Sequence, residues 1–141
     1  MNKSKILVDI MITVALIGFL RILPNLNIID KRLSYLFIFS LIVYYTGRLT
    51  SITKFFEIFH VLFAFCITTF PFLTKNRDIL FLHLVGIILT MATRKLFNKC
   101  LLRDFEKNDN IITNNSLSKS LNWDYIFPSL ALSSSFKMYM N

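Results

Sequence analysis

The sequence contains few of the residues on which most catalytic motifs depend. Its two cysteines, Cys66 and Cys100, form neither a Cys-x-x-Cys pair nor a zinc-ligand spacing, which argues against a disulfide framework and a structural zinc site. It has only three glycines and no Gly-rich phosphate loop. It also lacks a Gly-x-Ser-x-Gly elbow, a His-Glu-x-x-His pair and a selectivity-filter sequence. We therefore predict no catalytic residue, no metal ligand and no cofactor.

Acidic residues are scarce as well. Eight Asp and Glu residues stand against sixteen Lys and Arg, and the formal net charge is +8. A nucleic-acid binder would carry this charge as a basic stripe with interleaved aromatic residues, whereas here the basic residues flank apolar runs. The charge therefore predicts attraction to anionic lipids and an oriented membrane topology, with no nucleic-acid partner.

Apolar residues dominate the rest of the sequence. They make up 55% of the 141 residues and include 15 Phe, more than a soluble domain of this size could bury. Four runs approach the length of about 20 residues that crosses a hydrocarbon core of roughly 30 Å. We predict an all-α membrane protein with four transmembrane helices in an antiparallel bundle, over residues 6–23, 33–48, 55–73 and 79–97. The lipid bilayer is its first expected partner.

The chain after the fourth run divides into three parts. The bundle domain is expected to extend to residue 107 as a basic amphipathic helix, because apolar and basic residues segregate there at helical spacing. Residues 108–120 are rich in Asn and Ser without periodicity, which predicts a polar linker. Residues 121–141 contain an apolar stretch, but Pro128 and Lys137 interrupt it. We interpret this segment as an interfacial or re-entrant helix in preference to a fifth crossing.

The third and fourth runs predict a helical hairpin, because only the short charged turn 74–78 separates them. At 1.5 Å per residue, Glu57 and Lys95 reach the same depth on either side of that turn. A charge in the middle of a span costs about 2.5–3.5 kcal/mol, so such groups need a partner or an interface. We therefore predict that Glu57 pairs with Arg94 or Lys95 across the hairpin.

Each helix of the hairpin also carries a histidine. His60 shares a helix face with Glu57, but di-iron bundles need two such pairs and this sequence has one. The depth arithmetic separates His60 from His83 by about 13 Å, so the two cannot bind the same metal or haem iron. His83 is expected to lie opposite Thr68 and Thr69, whose hydroxyls could bond to it. We favour this packing role over a proton relay.

The distribution of Lys and Arg orients the bundle. With four spans, an inside N-terminus leaves eleven basic residues inside and five in the outside loops. We predict an integral membrane protein with both termini in the cytosol. This topology brings Asp9, Arg48, Glu57 and Arg94 towards one leaflet, where we expect a polar cluster with Asp9 and Glu57 as its acids.

His60, His83 and the segment after the hairpin resemble a group of small multi-pass membrane proteins found in bacteria and in large DNA viruses. That group pairs intramembrane histidines with a Cys-x-Leu-Thr-x-x-Glu signature after a helix. Cys100, Leu102 and Glu106 fall at the matching positions, while Arg replaces the Thr and the His or Trp residues usual before the signature are absent. The resemblance covers a third of the chain. Because the group has no assigned activity, the resemblance implies only a membrane bundle.

The sequence thus predicts a multi-pass membrane protein that acts as a structural or interaction component rather than as an enzyme. One alternative is a small oligomeric pore of the viroporin kind, whose partners would be further copies of the same chain. A second alternative is a metal- or haem-binding membrane enzyme.

Overall fold

A computed structural model describes residues 3–98 and 122–140, with side chains described from residue 5 onward. Within these residues the fold consists of five α-helices and one short 3-10 helix. The helices are α1 (Lys3–Ile22), the 3-10 helix (Leu23–Asn25), α2 (Ile28–Thr50), α3 (Thr53–Leu73), α4 (Arg77–Phe97) and α5 (Trp123–Met140). The predicted linker at 108–120 and the signature residues Cys100, Leu102 and Glu106 lie outside the described residues.

The first four helices are long and apolar enough to cross a membrane. Each also exposes large apolar side chains on the outside of the bundle, which a soluble monomer rarely does over so wide an area. Examples are Ile10, Val14 and Ile17 on α1, Phe39 and Ile42 on α2, Phe65 on α3, and Phe81 and Ile88 on α4. The predicted all-α fold with four transmembrane helices is confirmed, and the protein is an integral, multi-pass membrane protein.

The second helix begins five residues earlier than the sequence pattern predicted. Asn27 caps it, because the Asn27 side-chain oxygen accepts a hydrogen bond from the Asp30 backbone nitrogen at 2.9 Å. The Asn27 amide in turn donates to Asp30 Oδ2 at 2.7 Å. The extra turn gives α2 23 residues, enough to span the hydrocarbon core. At its other end, Ser51 adopts a left-handed conformation with φ of 58° and reverses the chain into α3.

The helices pack in two closely associated pairs, α2 with α3 and α4 with α5, while α1 lies against α2 and α4. Gly47 permits the first pairing, because a Cβ there would lie 3.0 Å from the Phe55 Cβ. A cluster of tilted aromatic rings fills the space between α1, α2 and α3. Its members are Phe19, Phe37, Tyr44, Phe59, Phe63 and Phe70.

The fifth helix runs antiparallel to α4. At one end Arg94 of α4 contacts Asp124 of α5, and at the other Lys137 of α5 reaches the end of α3. α5 therefore lies lengthwise beside the hairpin rather than across its end. We call the end of the bundle where α1, α3 and α5 begin the Asp9 end, and the end where α2 and α4 begin the Asp30 end.

Candidate functional site

Asp9 forms the polar cluster at the Asp9 end. Two nitrogens of Arg48 donate to its two carboxylate oxygens, Nε at 3.1 Å and Nη2 at 2.9 Å, and the Tyr44 hydroxyl donates to it as well. The paired geometry is the strong, bidentate form of an Arg–carboxylate contact. Beside it, the Thr13 and Tyr45 hydroxyls share a hydrogen bond of 2.6 Å. These contacts join α1 to the end of α2, and the structure thus gives Asp9 one of the basic neighbours expected from the sequence.

Pro71 creates a second polar centre inside the hairpin. Proline has no backbone N–H, so the carbonyl of Ile67, four residues earlier, loses its helical partner. In a membrane interior an unpaired carbonyl is costly, because no water is there to satisfy it. His83 of α4 supplies the donor: its Nε2 lies 2.6 Å from the Ile67 carbonyl oxygen. Since a carbonyl can only accept, the neutral imidazole carries its proton on Nε2.

The fifth helix completes this centre, which we call the Pro71 junction and define as Ile67, Pro71, His83, Ser134 and Lys137. With the His83 proton on Nε2, its Nδ1 accepts from the Ser134 hydroxyl at 2.8 Å. One turn further along α5, Lys137 Nζ donates to the Pro71 carbonyl at 2.9 Å. Ser134 is fully buried and His83 is 5% exposed. The junction therefore fastens α3, α4 and α5 together through polar bonds.

The sequence predicted the depth of the His83 partner but not its identity. Thr68 and Thr69, the expected partners, turn their hydroxyls back to their own helix, to the carbonyls of Ala64 and Phe65. Ile67 lies at the same depth and offers the freed carbonyl instead. The signal that could have found it is Pro71, because any proline inside a helix frees the carbonyl four residues before it.

Asp30 makes the matching link at the other end of the bundle. Asp30 is only 2% exposed, yet it lies in the first turn of α2. The Thr74 hydroxyl donates to Asp30 Oδ1 at 2.6 Å, while Asn27 donates to Oδ2. The cap of α2 thus also holds the C-terminal end of α3. The sequence analysis did not predict the contact between Asp30 and Thr74.

The predicted pair between Glu57 and Arg94 or Lys95 does not form. Among the residues that the structure describes, Arg94 pairs with Asp124 at 3.3 Å, while Glu57 is half-buried and Lys95 exposed. Depth arithmetic fixes the height of a residue along the helix axis but not its direction around that axis. It also did not consider Asp124, because residues 121–141 were expected to form an interfacial or re-entrant helix rather than a helix that pairs with α4.

The two histidines lie in different surroundings. His60 is half-buried on α3, one turn from Glu57, and His83 is buried in the Pro71 junction. Over residues 3–98 and 122–140, no group of three or more His, Cys, Asp or Glu side chains is placed to hold a metal ion.

No protein-family model, curated protein or solved structure matches this chain.

Proposed function

We propose that this protein is a structural or interaction component of its membrane and not an enzyme. The observation that carries the proposal is the state of His83, whose two ring nitrogens both bond to the protein, one to Ile67 and one to Ser134. A histidine bound in this way has no nitrogen left for a haem iron, and its Nε2 proton is held by a backbone carbonyl, which cannot pass a proton onward. The Asp9 and Asp30 carboxylates likewise hold helices together.

The principal alternative is a small oligomeric pore, and an ion-flux measurement distinguishes the two. We expect liposomes containing the purified protein to be no more permeable to ions than empty liposomes, since the described interior between α1, α2 and α3 is filled by aromatic side chains. Flux that Asp9→Asn or Glu57→Gln changes would instead establish a pore, and Arg77→Gln at the opposite end is the matched control. A metal-rich or coloured sample would favour the membrane-enzyme alternative.

The orientation we propose keeps the Asp9 end in the cytosol and adds α5 as a fifth segment at membrane depth. Two contacts support this: α5 meets α4 at Asp124 and the end of α3 at Lys137, so it follows the hairpin over its length. The basic residues then number ten on the cytosolic side and six on the other, which still satisfies the positive-inside rule. This proposal replaces the prediction of two cytosolic termini, because α1 begins and α5 ends at opposite ends of the bundle.

Epitope tags on the two termini test this orientation. We expect an N-terminal tag to be protected from protease in right-side-out vesicles and a tag after Asn141 to be cleaved. A tag inserted in the turn between α3 and α4 should be cleaved as well and serves as the control. Protection of both terminal tags would restore the interfacial or re-entrant interpretation of residues 121–141.

Anionic lipids and further copies of the chain are the partners we propose. The basic residues at the Asp9 end, among them Lys54, Arg94 and Lys95, support lipid binding, because each basic residue near an anionic surface contributes about 1 kcal/mol of attraction. We also propose kinship with the small multi-pass membrane proteins of bacteria and large DNA viruses. The positions of His60 and His83 on consecutive helices support it.

A further inference from the structure

An apolar groove runs along the outside of the bundle between α1 and α4. Its volume is about 140 Å³. The walls are apolar, and α3 closes the back with two phenylalanine rings. The principal lining residues are Ile12 and Ala15 of α1, Gly86 and Leu89 of α4, and Phe59 and Phe63 of α3. The outer side is open to the hydrocarbon, since Val14 is 59% and Leu89 40% exposed.

Two glycines give the groove its shape. At Gly18 the helices α1 and α4 nearly touch, because a Cβ there would lie 3.0 Å from a Leu82 methyl carbon. At Gly86, one turn further along α4, a Cβ would meet no atom within 4 Å. The helices therefore separate from Gly18 towards the Asp9 end, and Gly86 leaves the space between them empty.

A positive charge stands at the wide end of this groove. Arg94 lines the groove, and its guanidinium lies 5.9 Å from the centre of the Phe127 ring. Asp124, its ion-pair partner, touches it at a single 3.3 Å contact and is itself 79% exposed. Guanidinium has five N–H donors, so Arg94 keeps donors for a second anion. Lys95 and Asn98 border the adjoining polar pocket.

The length of the groove matches one leaflet of a bilayer. From Leu82 to Arg94 it follows thirteen residues of α4, whose twelve steps of 1.5 Å span about 18 Å. Half of a hydrocarbon core is about 15 Å thick. A helix of a second copy is about 10–12 Å across, broader than the single side chain that Gly86 omits from this surface. A single acyl chain extends through one leaflet and therefore matches the groove in length.

We propose that this groove binds one acyl chain of an anionic phospholipid from the leaflet at the Asp9 end, with the headgroup held by Arg94 and Lys95. The proposal deepens the anionic-lipid partnership given under Proposed function and rests on the same membrane orientation. The positive charge of Arg94 and Lys95 favours a headgroup with net negative charge, and the groove fixes where the acyl chain lies. Lipid at this site would cover the gap between α1 and α4 that the protein itself leaves open.

Native mass spectrometry of the whole purified protein tests the proposal, with phosphatidylglycerol and phosphatidylcholine as the lipid probes. We expect one phosphatidylglycerol to be retained per chain, at least tenfold more strongly than phosphatidylcholine. Gly86→Leu should fill the groove and reduce this retention at least tenfold. Arg94→Gln should remove the preference between the two lipids. Arg77→Gln, an exposed arginine at the opposite end of α4, is the matched control and should change neither.

A second measurement needs no variant that could misfold. A phosphatidylglycerol with a photoreactive acyl chain should label α4 at residues 85–89 more than the lipid-facing side of α2 around Phe39. Even labelling of both surfaces, or equal retention of the two lipids, would overturn the proposal. A dimer cross-linked through the groove would show it to be an interface between copies. Ion flux through the protein would contradict the proposed structural role but not the lipid site, because labelling of the groove does not depend on flux.

Discussion

Replacing His83 by Leu should lower the free energy of unfolding by about 2–3 kcal/mol, because it leaves a buried carbonyl without a partner and such a group costs about 1–3 kcal/mol. The Ile67 carbonyl cannot turn to its own helix, since Pro71 offers no N–H. Unfolding by SDS in mixed micelles measures the change. Ser134→Ala should cost less, about 0.5–1 kcal/mol, in keeping with the modest strength of side-chain hydrogen bonds between membrane helices.

A double-mutant cycle separates this polar role from simple packing. Pro71→Ala restores the missing N–H and gives the Ile67 carbonyl a helical partner. In that background His83→Leu should cost at least about 1 kcal/mol less than in the native chain, which is a coupling energy of the usual size for contacting residues. Thr68→Val is the control and should stay within about 0.5 kcal/mol, because its hydroxyl bonds to its own helix. An equal cost of His83→Leu in both backgrounds would mean that the ring acts only by filling space.

The second large effect is expected at the Asp9 cluster. Arg48→Leu should destabilise the protein by about 1–3 kcal/mol, below the 3–5 kcal/mol typical of a broken, fully buried ion pair. The lower value follows from partial exposure, since the Arg48 and Asp9 side chains are 39% and 30% exposed. The loss arises because the Asp9 carboxylate keeps its charge without its cation. The same SDS unfolding assay applies.

The double variant Asp9→Leu with Arg48→Leu tests the pairing itself. It should be no less stable than Arg48→Leu alone, because it also removes the carboxylate that Arg48→Leu leaves without a cation. Arg32→Leu is the matched control: Arg32 is an exposed arginine in the same helix, and its replacement should change stability by no more than about 0.5 kcal/mol. Additive losses for the two single substitutions would contradict the pairing.

The sequence predicted the parts of the fold that depend on hydrophobic length. The four spanning helices follow from four apolar runs, and their ends moved by only a few residues, except at α2, where the Asn27 cap adds a turn. It did not predict α5 as a partner of α4. Four serines, Pro128 and Lys137 make this segment too polar for a hydropathy criterion. Two of those polar residues, Ser134 and Lys137, are bonded inside the bundle instead.

The sequence predicted the membrane depth of the site residues but not the direction in which their side chains face. Counting residues from the turn placed His83 at the same membrane depth as Ile67 to Thr69, because the rise per residue is nearly constant in a helix. Which residue between Ile67 and Thr69 faces His83 depends on the rotation of α3 about its axis and on the carbonyl that Pro71 frees. The hydrophobic periodicity of the sequence predicts neither. The Glu57–Arg94 pair was predicted for the same reason, because the residue count does not give the rotation of a side chain about the helix axis. Asp9 and Arg48 do form a pair, since both lie near the same end of adjacent helices.

The hydrogen bond between His83 and Ser134 also sets an order of events during synthesis. The two residues are 51 positions apart, so at about 5–20 residues per second the serine leaves the ribosome roughly 3–10 s after the histidine. In the nascent hairpin His83 can already donate to the Ile67 carbonyl. The hydrogen bonds from Ser134 to His83 and from Lys137 to the Pro71 carbonyl can form only after α5 has been synthesised. Assembly of the bundle therefore finishes only when the last helix emerges, and a ribosome stalled before that helix would hold a hairpin with two polar contacts still to make.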